Sequence, residues 1–226
     1  MKFTSTQSTR INKAVQKSGL YSRREADSLI EGGKIFVNNK RAVLGQVIKS
    51  GDIIDIRIEN KINKYALYYK PKGEVTSISS KEKLQNLHPV GRLDKESEGL
   101  LIYTNDHRLV DALLNPLNKI EKEYRVKIRE KATPRVERIL KQGIQTQEAT
   151  YSPVKNVRMS EDCRTLYITL TEGKKHEIRR MMNALFLTID SLIRIRIEKF
   201  TVKNMKPGQV QELAEADFDF IFRNQK

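Results

Sequence analysis

The stretch Val90-Gly91-Arg92-Leu93-Asp94-Lys95-Glu96-Ser97-Glu98-Gly99-Leu100-Leu101 carries more chemistry than any other part of this sequence. An acid, Asp94, stands beside Arg92 between two glycines, and an apolar run follows the second glycine. Glycines punctuate secondary structure, so the segment is predicted to be a loop that leads into a strand at Leu100 to Thr104. Asp94 is therefore a candidate reactive group at the entrance of a strand.

Of three metal or hydrolytic interpretations of the acidic residues, two fail and the third is disfavoured. A calcium loop beginning at Asp94 needs Glu at its twelfth position, and that position is Asn105. A zinc protease helix beginning at His176-Glu177 lacks its second histidine. A glycosidase would use two carboxylates, but a basic chain fits a neutral sugar poorly. No metal site is expected.

The composition indicates a polyanionic partner. The 226 residues include 43 Lys and Arg against 28 Asp and Glu, a net charge of +15. Nucleic acid is the commoner partner of such a chain. A single cysteine, Cys163, and three histidines exclude an intramolecular disulfide and the usual Cys/His zinc cages.

The opening residues lack the apolar stretch of a secretory signal, and no apolar run is long enough to span a bilayer. The first acid is Glu25, and the Ser, Thr, Lys and Arg before it are also compatible with a mitochondrial transit peptide. A folded helix pair accounts for the same residues better. We therefore expect a cytoplasmic protein.

The first sixty residues predict two helices packed on a small sheet. An apolar stripe at Ile11, Ala14 and Val15 ends at Gly19. Ser22-Arg23-Arg24-Glu25 has the form of a capping box, and Gly32-Gly33 ends the helix that it begins. Strands are expected at Ile35 to Val37 and at Ile53 to Ile58, where isoleucines alternate with charged residues.

This segment resembles the S4 RNA-binding module. The resemblance rests on Arg10-Ile-Asn-Lys13, Ser18-Gly19, Ser22-Arg-Arg-Glu-Ala-Asp27 and Gly51-Asp52, and it implies an RNA-binding domain over residues 8–62. Up to Asn60 the chain has eleven Lys and Arg against six Asp and Glu, so this part is itself basic. The residues implied in RNA contact are Lys13, Arg23, Arg24, Lys34 and Arg41.

A polar stretch ending at Lys64 predicts a flexible linker, and a second domain is expected over residues 63–226. Strands are predicted at residues 65–70, 100–104, 123–128 and 166–171, and helices at 107–115, 134–142 and 177–185. The order lacks strict βαβ repetition, so an α+β domain with a largely antiparallel mixed sheet is expected.

The second domain resembles pseudouridine synthases of the RsuA type. The central motif is Gly91-Arg92-Leu93-Asp94 with Gly99-Leu100-Leu101 and Thr104-Asn105-Asp106. In the family's order, Lys70-Pro71-Lys72-Gly73 with Thr76 precedes it. Glu121-Lys122-Glu123-Tyr124 and Glu172-Gly173-Lys174-Lys175-His176-Glu177-Ile178-Arg179-Arg180-Met181 follow it. The resemblance implies isomerisation of a specific uridine in structured RNA, with ribosomal RNA expected and without a cofactor.

The resemblance also implies a role for each motif residue. Asp94 would act at the sugar, either as nucleophile at C1′ or as base in a glycal route, and Arg179 would keep it ionised. Tyr124, on one strand face with Val126 and Ile128, would stack on the uracil. Arg92 would fill the space of the flipped base or hold its phosphate. Lys70 and Lys72 either contact phosphate or are plain surface lysines.

The sequence leaves two matters open. Glu177 stands where this family usually has Gln, which adds a negative charge beside the proposed ion pair. Asp94-Lys-Glu-Ser-Glu resembles the large-subunit enzymes whereas Lys175-His176 is closer to the small-subunit ones, so neither the RNA nor the uridine is decided. A monomer is expected. The alternatives are an inactive S4-type RNA-binding protein of ribosome assembly and a basic glycosidase.

Overall fold

The computed structural model describes residues 1–58, 62–76, 81–146 and 149–223. Two apolar cores divide the described chain. One is formed by residues between Phe3 and Ile58, and the clusters of the other begin at Tyr65. The linker and the domain boundary expected near residues 58–64 fall partly on residues 59–61, which lie outside the described residues.

The first domain is two helices on two small sheets. Its strands are β1 (Lys2–Thr4), β2 (Thr9–Arg10), β3 (Ile35–Val37), β4 (Lys40–Arg41), β5 (Val47–Ile48) and β6 (Ile53–Ile56), and its helices are α1 (Ile11–Lys17) and α2 (Arg23–Glu31). One sheet has the order β1-β6-β3-β4, and β2 pairs with β5. The capping box is confirmed, because the Glu25 amide donates to Ser22 Oγ at 3.1 Å and the Ser22 amide donates to Glu25 Oε2 at 2.7 Å.

One detail of the β6 pattern differs from the simple alternation. The alternation predicts that Asp55 faces solvent, but it is buried together with Ile54 and Ile56. Its carboxylate accepts a hydrogen bond from Arg57 Nε at 2.9 Å. The neighbouring β1 pairs with this strand, and Lys2 lies opposite Asp55 in the register. The Arg57 guanidinium and the pairing with β1 therefore account for a buried acid at a position that the alternation directs to solvent.

The second domain is built on one large sheet. Its strands are β7 (Tyr65–Lys70), β8 (His88–Val90), β9 (Glu98–Thr104), β10 (Lys122–Ile128), β11 (Ile144–Gln145), β12 (Thr150–Tyr151), β13 (Asn156–Met159), β14 (Thr165–Leu170), β15 (Ile189–Ile197), β16 (Phe200–Thr201) and β17 (Val210–Leu213). Its helices are α3 (His107–Leu114), α4 (Pro134–Gln142), α5 (Glu177–Ala184) and α6 (Asp219–Arg223), and short 3₁₀ turns span Glu82–Leu84, Pro116–Asn118 and Glu215–Phe218.

The sheet order is β13-β14-β10-β15-β9-β7-β17, with β16 beside β15 and β8 beside β9. All of its described pairings are antiparallel except β9 with β15. The α+β class with a largely antiparallel mixed sheet is confirmed. Gly99 (φ +122°) permits the parallel pair, because a Cβ there would lie 2.3 Å from the Arg194 carbonyl oxygen.

The two domains touch directly through α2 and α3. His107 Nε2 lies 2.6 Å from Glu25 Oε2. Gly19, in the left-handed region, lets the Arg108 side chain lie against its backbone, where a Cβ would be 2.5 Å from Arg108 Cγ. A cavity of about 430 Å³ opens beside this contact between Arg24 and His88. The expected flexible linker thus joins domains that are also held by side-chain contacts.

In the described part of the chain, none of the helices combines the length and apolar character that a bilayer crossing requires.

Candidate active site

Asp94 lies in the loop between β8 and β9, and two side chains of the last motif reach its carboxylate. Arg179 Nε is 3.6 Å from Asp94 Oδ2, and His176 Nε2 is 3.3 Å from Asp94 Oδ1. The Asp94 side chain remains 39% exposed. The carboxylate is therefore held from one side while its other side is open to a bound molecule.

Arg179 also fixes the loop that carries Asp94. Its Nη2 donates to Ser97 Oγ at 3.0 Å, and the Ser97 amide donates to the Asp94 carbonyl at 3.0 Å. Arg180, by contrast, directs Nη1 towards the hydroxyl of Tyr151 at 3.5 Å. This geometry brings Arg179 to Asp94.

His176 is a site residue that sequence reasoning named only as part of a motif. It precedes α5 in the left-handed conformation, with φ +54°. A non-glycine residue rarely adopts this conformation without a compensating contact. Here the turn brings the imidazole to Asp94. Because it stands three residues before Arg179 at a helix start, both side chains can reach the same loop.

The expectation that Lys70 lies at the surface or contacts phosphate was wrong. Lys70 is 0% exposed, and its ammonium donates to the carbonyls of Pro71 at 2.9 Å, Ser97 at 2.7 Å and Lys95 at 3.5 Å. Burial lowers the pKa of Lys70. An ammonium committed to buried main-chain carbonyls has no face left for a phosphate. Lys70 instead ties the end of β7 to the loop that carries Asp94.

Two further residues of the first motif hold the same loop. Thr76 Oγ1 donates to the Leu93 carbonyl at 2.8 Å and accepts from the Leu93 amide at 3.1 Å. The Gly73 amide donates to the Lys95 carbonyl at 2.8 Å. The first motif is thus a brace for the central motif, which explains why two segments distant in sequence belong to one site.

Tyr124 lies on β10, half-buried, and faces the same site. It is paired with Arg194 of β15 and Ile168 of β14 in the sheet register, so these side chains share one face. Tyr124 packs against the apolar cluster that contains Leu93, the neighbour of Asp94. The phenol ring therefore packs on the same apolar cluster as the residue that precedes Asp94.

Buried charges lie on this face of the sheet. Lys122 stands two residues before Tyr124, and burial together with Arg194 lowers its pKa. Arg194 donates from Nε to the Leu100 carbonyl at 2.8 Å, and its Nη2 is buried without a hydrogen-bond partner among the described residues. Glu177 is buried at the start of α5. Burial of Glu177 raises the pKa of its carboxyl group to about 7. The negative charge that Glu177 adds where this family usually has Gln is therefore only partial at neutral pH.

The remaining cationic residues singled out in the sequence are exposed. Arg92 and Lys72 both lie at the surface. The five cations implied for the first domain are all exposed as well, namely Lys13, Arg23, Arg24, Lys34 and Arg41. Within the described ranges, no group of three or more His, Cys, Asp and Glu is placed to hold a metal ion.

Comparison with known proteins agrees with the fold. The family model for RNA pseudouridylate synthases matches residues 64–184, and the S4 domain model matches residues 9–54. This chain belongs to the RNA pseudouridylate synthase family and carries an S4 domain before its catalytic domain.

Its curated relatives align over most of the chain. The "Ribosomal large subunit pseudouridine synthase B" of Buchnera aphidicola subsp. Acyrthosiphon pisum is 31% identical over 92% of this chain and 93% of its own length. The "Dual-specificity RNA pseudouridine synthase RluF" of Escherichia coli K12 is 30% identical over 96% and 79%. A crystal structure of a pseudouridylate synthase superposes with a TM-score of 0.70 at 21% identity, covering 94% of this chain and 99% of its own. That likeness shows the fold.

Proposed function

We propose that this protein isomerises a specific uridine of structured ribosomal RNA to pseudouridine, with Asp94 as the group that acts at the sugar. The reaction breaks the bond between N1 and C1′, turns the uracil and joins C5 to C1′, while a proton leaves C5 and another is taken up at N1. The observation that carries the proposal is Asp94, held by Arg179 and His176 yet open on one side.

Asp94 acts on the sugar as an anion. It attacks C1′ to form a covalent intermediate, or it removes the C2′ proton in a glycal route. Both routes need an ionised carboxylate at a fixed position. The guanidinium of Arg179 lies 3.6 Å from the carboxylate, and the contacts to Leu93, Lys95 and Ser97 fix the loop.

The target base must leave its helix to reach Asp94. Enzymes that act on a base inside a duplex turn it out of the stack. Arg92, exposed two residues before Asp94, fills the vacated space or holds the neighbouring phosphate. Tyr124 stacks on the uracil and keeps it near C1′ while it turns, and Lys72 contacts a phosphate.

The choice of ribosomal RNA rests on the relatives and on charge. Two of the curated relatives, from Buchnera aphidicola and Bacillus subtilis, are named for the large ribosomal subunit. The exposed cations of the S4 domain offer phosphate contacts to a folded RNA. Large-subunit RNA is therefore the first substrate to test. We propose further that the enzyme acts as a monomer in the cytoplasm.

Mapping pseudouridines tests this function. Precursor ribosomal RNA is incubated with the protein and with Asp94→Asn, and pseudouridines are located by carbodiimide-stop sequencing. We expect one new stop, or a few, with the wild type and none with the variant. Tight binding without any new stop in ribosomal or transfer RNA would instead support an inactive RNA-binding protein.

A further inference from the structure

Glu177 begins α5 with a buried carboxyl group. The residue is 4% exposed. Its Oε2 accepts a hydrogen bond from the Lys174 amide at 2.9 Å, and the Glu177 amide donates to the Lys174 carbonyl at 3.2 Å. His176, the residue before the helix, contributes no side-chain cap. The Glu177 carboxyl therefore closes the turn from which His176 and Arg179 reach Asp94.

A second carboxyl group, that of Glu172, faces Glu177. Glu172 accepts hydrogen bonds from the Ser152 amide at 3.1 Å and from Lys174 Nζ at 3.2 Å, which favour its ionised form. Glu177 Oε1 is buried and finds no donor among the described residues. An ionised Glu177 would leave this oxygen unsatisfied and opposed to Glu172, whereas a protonated Glu177 donates its O–H to Glu172.

The cations around Glu172 and Glu177 do not reverse the preference for a protonated Glu177. Lys174 and Lys122 attract the Glu177 carboxylate, but burial of Glu177 and the Glu172 charge outweigh them and raise the pKa of Glu177 to about 7. Lys122, on β10, is itself desolvated, and it lies between Glu177, Glu198 and Arg194. Burial disfavours the ionised form of Glu172, but its contacts with Glu177, Lys174 and Ser152 outweigh burial and lower the pKa of its carboxyl group.

We propose that Glu177 is a positioning residue for the isomerisation: its neutral carboxyl group bridges the Lys174 amide and Glu172, and this bridge sets His176 and Arg179 against Asp94. The inference rests on the function proposed above. Ionisation releases the bridging proton to solvent and leaves two carboxylates facing each other. The turn at residues 174–177 then loosens. His176 and Arg179 therefore position Asp94 less firmly as the pH rises through neutrality.

The matched variant is Glu177→Gln. A glutamine accepts from the Lys174 amide and donates to Glu172 at every pH, so the bridge no longer depends on a proton. We expect the ratio of kcat for Glu177→Gln to kcat for wild type, at saturating RNA, to rise by about 3- to 30-fold between pH 6 and pH 8.5, since a group with a pKa near 7 is almost fully ionised at the upper limit. KM is expected to follow no such trend.

Glu161→Gln is the control, because it removes the same charge from an exposed residue outside the site. Its kcat ratio to wild type should stay flat with pH. A flat ratio for Glu177→Gln as well would overturn the positioning role.

A second measurement does not depend on turnover. In protein labelled with ¹³C at the glutamate carboxyl carbon, one resonance should titrate with a midpoint near pH 7. It should vanish in Glu177→Gln and move to a midpoint below about 6 in Glu172→Gln. If no carboxyl titrates above about pH 5.5, the bridge does not exist. If the resonance behaves as expected but the wild type modifies no RNA, the proposed function fails and the bridge stands.

Discussion

The loop that carries Asp94 and the basic surface of α2 present charge to RNA in opposite ways. Asp94 is a single carboxylate in a loop that is fixed by the side chains of Lys70, Thr76 and Arg179, which come from two other segments of the chain. The S4 domain presents several exposed cations, of which Arg23 contacts only a neighbouring glutamine, Gln16, among the described residues. One region concentrates its charge in one fixed group, and the other distributes it over several exposed groups.

This difference separates catalysis from affinity. A reacting group must stand within a fraction of an ångström of its target, so its neighbours are specified by geometry. Phosphate neutralisation depends on the number of cations rather than on their exact rotamers. Changes in the loop should therefore reduce turnover with little loss of binding, and changes in α2 should do the reverse.

The largest effect is expected from Asp94→Asn. The variant keeps the size of the side chain and removes the anion, so single-turnover pseudouridine formation should fall by about 10³-fold or more. RNA affinity, measured by filter binding, should stay within a few-fold. A variant that turns over near the wild-type rate would remove Asp94 from the chemistry.

Lys70→Met should disturb the loop that carries Asp94, because the Lys70 ammonium holds that loop in place. Methionine fills similar space but leaves the carbonyls of Pro71 and Ser97 without their donor, and the relief of a buried ammonium offsets only part of that loss. We expect the free energy of unfolding to fall by about 1 to 3 kcal/mol, together with a clear loss of kcat. Lys72→Met, at an exposed position, is the control and should leave the thermal midpoint unchanged. Equal midpoints for both variants would contradict the bracing role.

Tyr124 distinguishes stacking from hydroxyl chemistry. Tyr124→Ala removes the ring and should cost about 1 to 3 kcal/mol of transition-state stabilisation, a loss of about 5- to 150-fold in kcat/KM. Tyr124→Phe keeps the ring and should lose much less. If phenylalanine is as inactive as alanine, the hydroxyl rather than the stacking face carries the function.

The smallest effect is expected at the S4 surface. The double variant Arg23→Ala with Arg24→Ala should weaken RNA binding modestly and make the log–log salt slope shallower by about 0.7 to 0.9 for each phosphate that the protein no longer neutralises. Turnover at saturating RNA should not change. An unchanged slope would mean that this end of α2 does not bind phosphate.

Local patterns in the sequence predicted the elements that depend on local physics. The capping box at Ser22 and Glu25 formed as expected, and the helix at 134–142 begins with Pro134 and ends at Gly143. The antiparallel character of the sheet followed from the absence of βαβ repetition. The short strands β11, β12 and β13 were missed, because two to four residues give too little periodicity.

The sequence named residues for the candidate site but did not predict the contacts that they make. The family motifs pointed to Asp94, Tyr124 and Arg179, but they did not separate the brace from the reactive group. Lys70 was interpreted as a phosphate ligand because local sequence does not reveal its burial. That burial depends on β7 lying within the sheet, between β9 and β17. Glu177 looked like an added charge because its contact with Glu172 forms only when the turn before α5 closes.

Release of tritium from RNA labelled at C5 of uridine tests the central claim most directly. Joining C5 to C1′ expels the C5 hydrogen, so each isomerisation releases one tritium into water. With excess wild-type enzyme and large-subunit RNA, we predict release that stops at a whole number of tritium atoms per RNA, and no release with Asp94→Asn bound at the same occupancy. Release by the variant at the wild-type rate, or none by the wild type on any ribosomal RNA, would contradict the account.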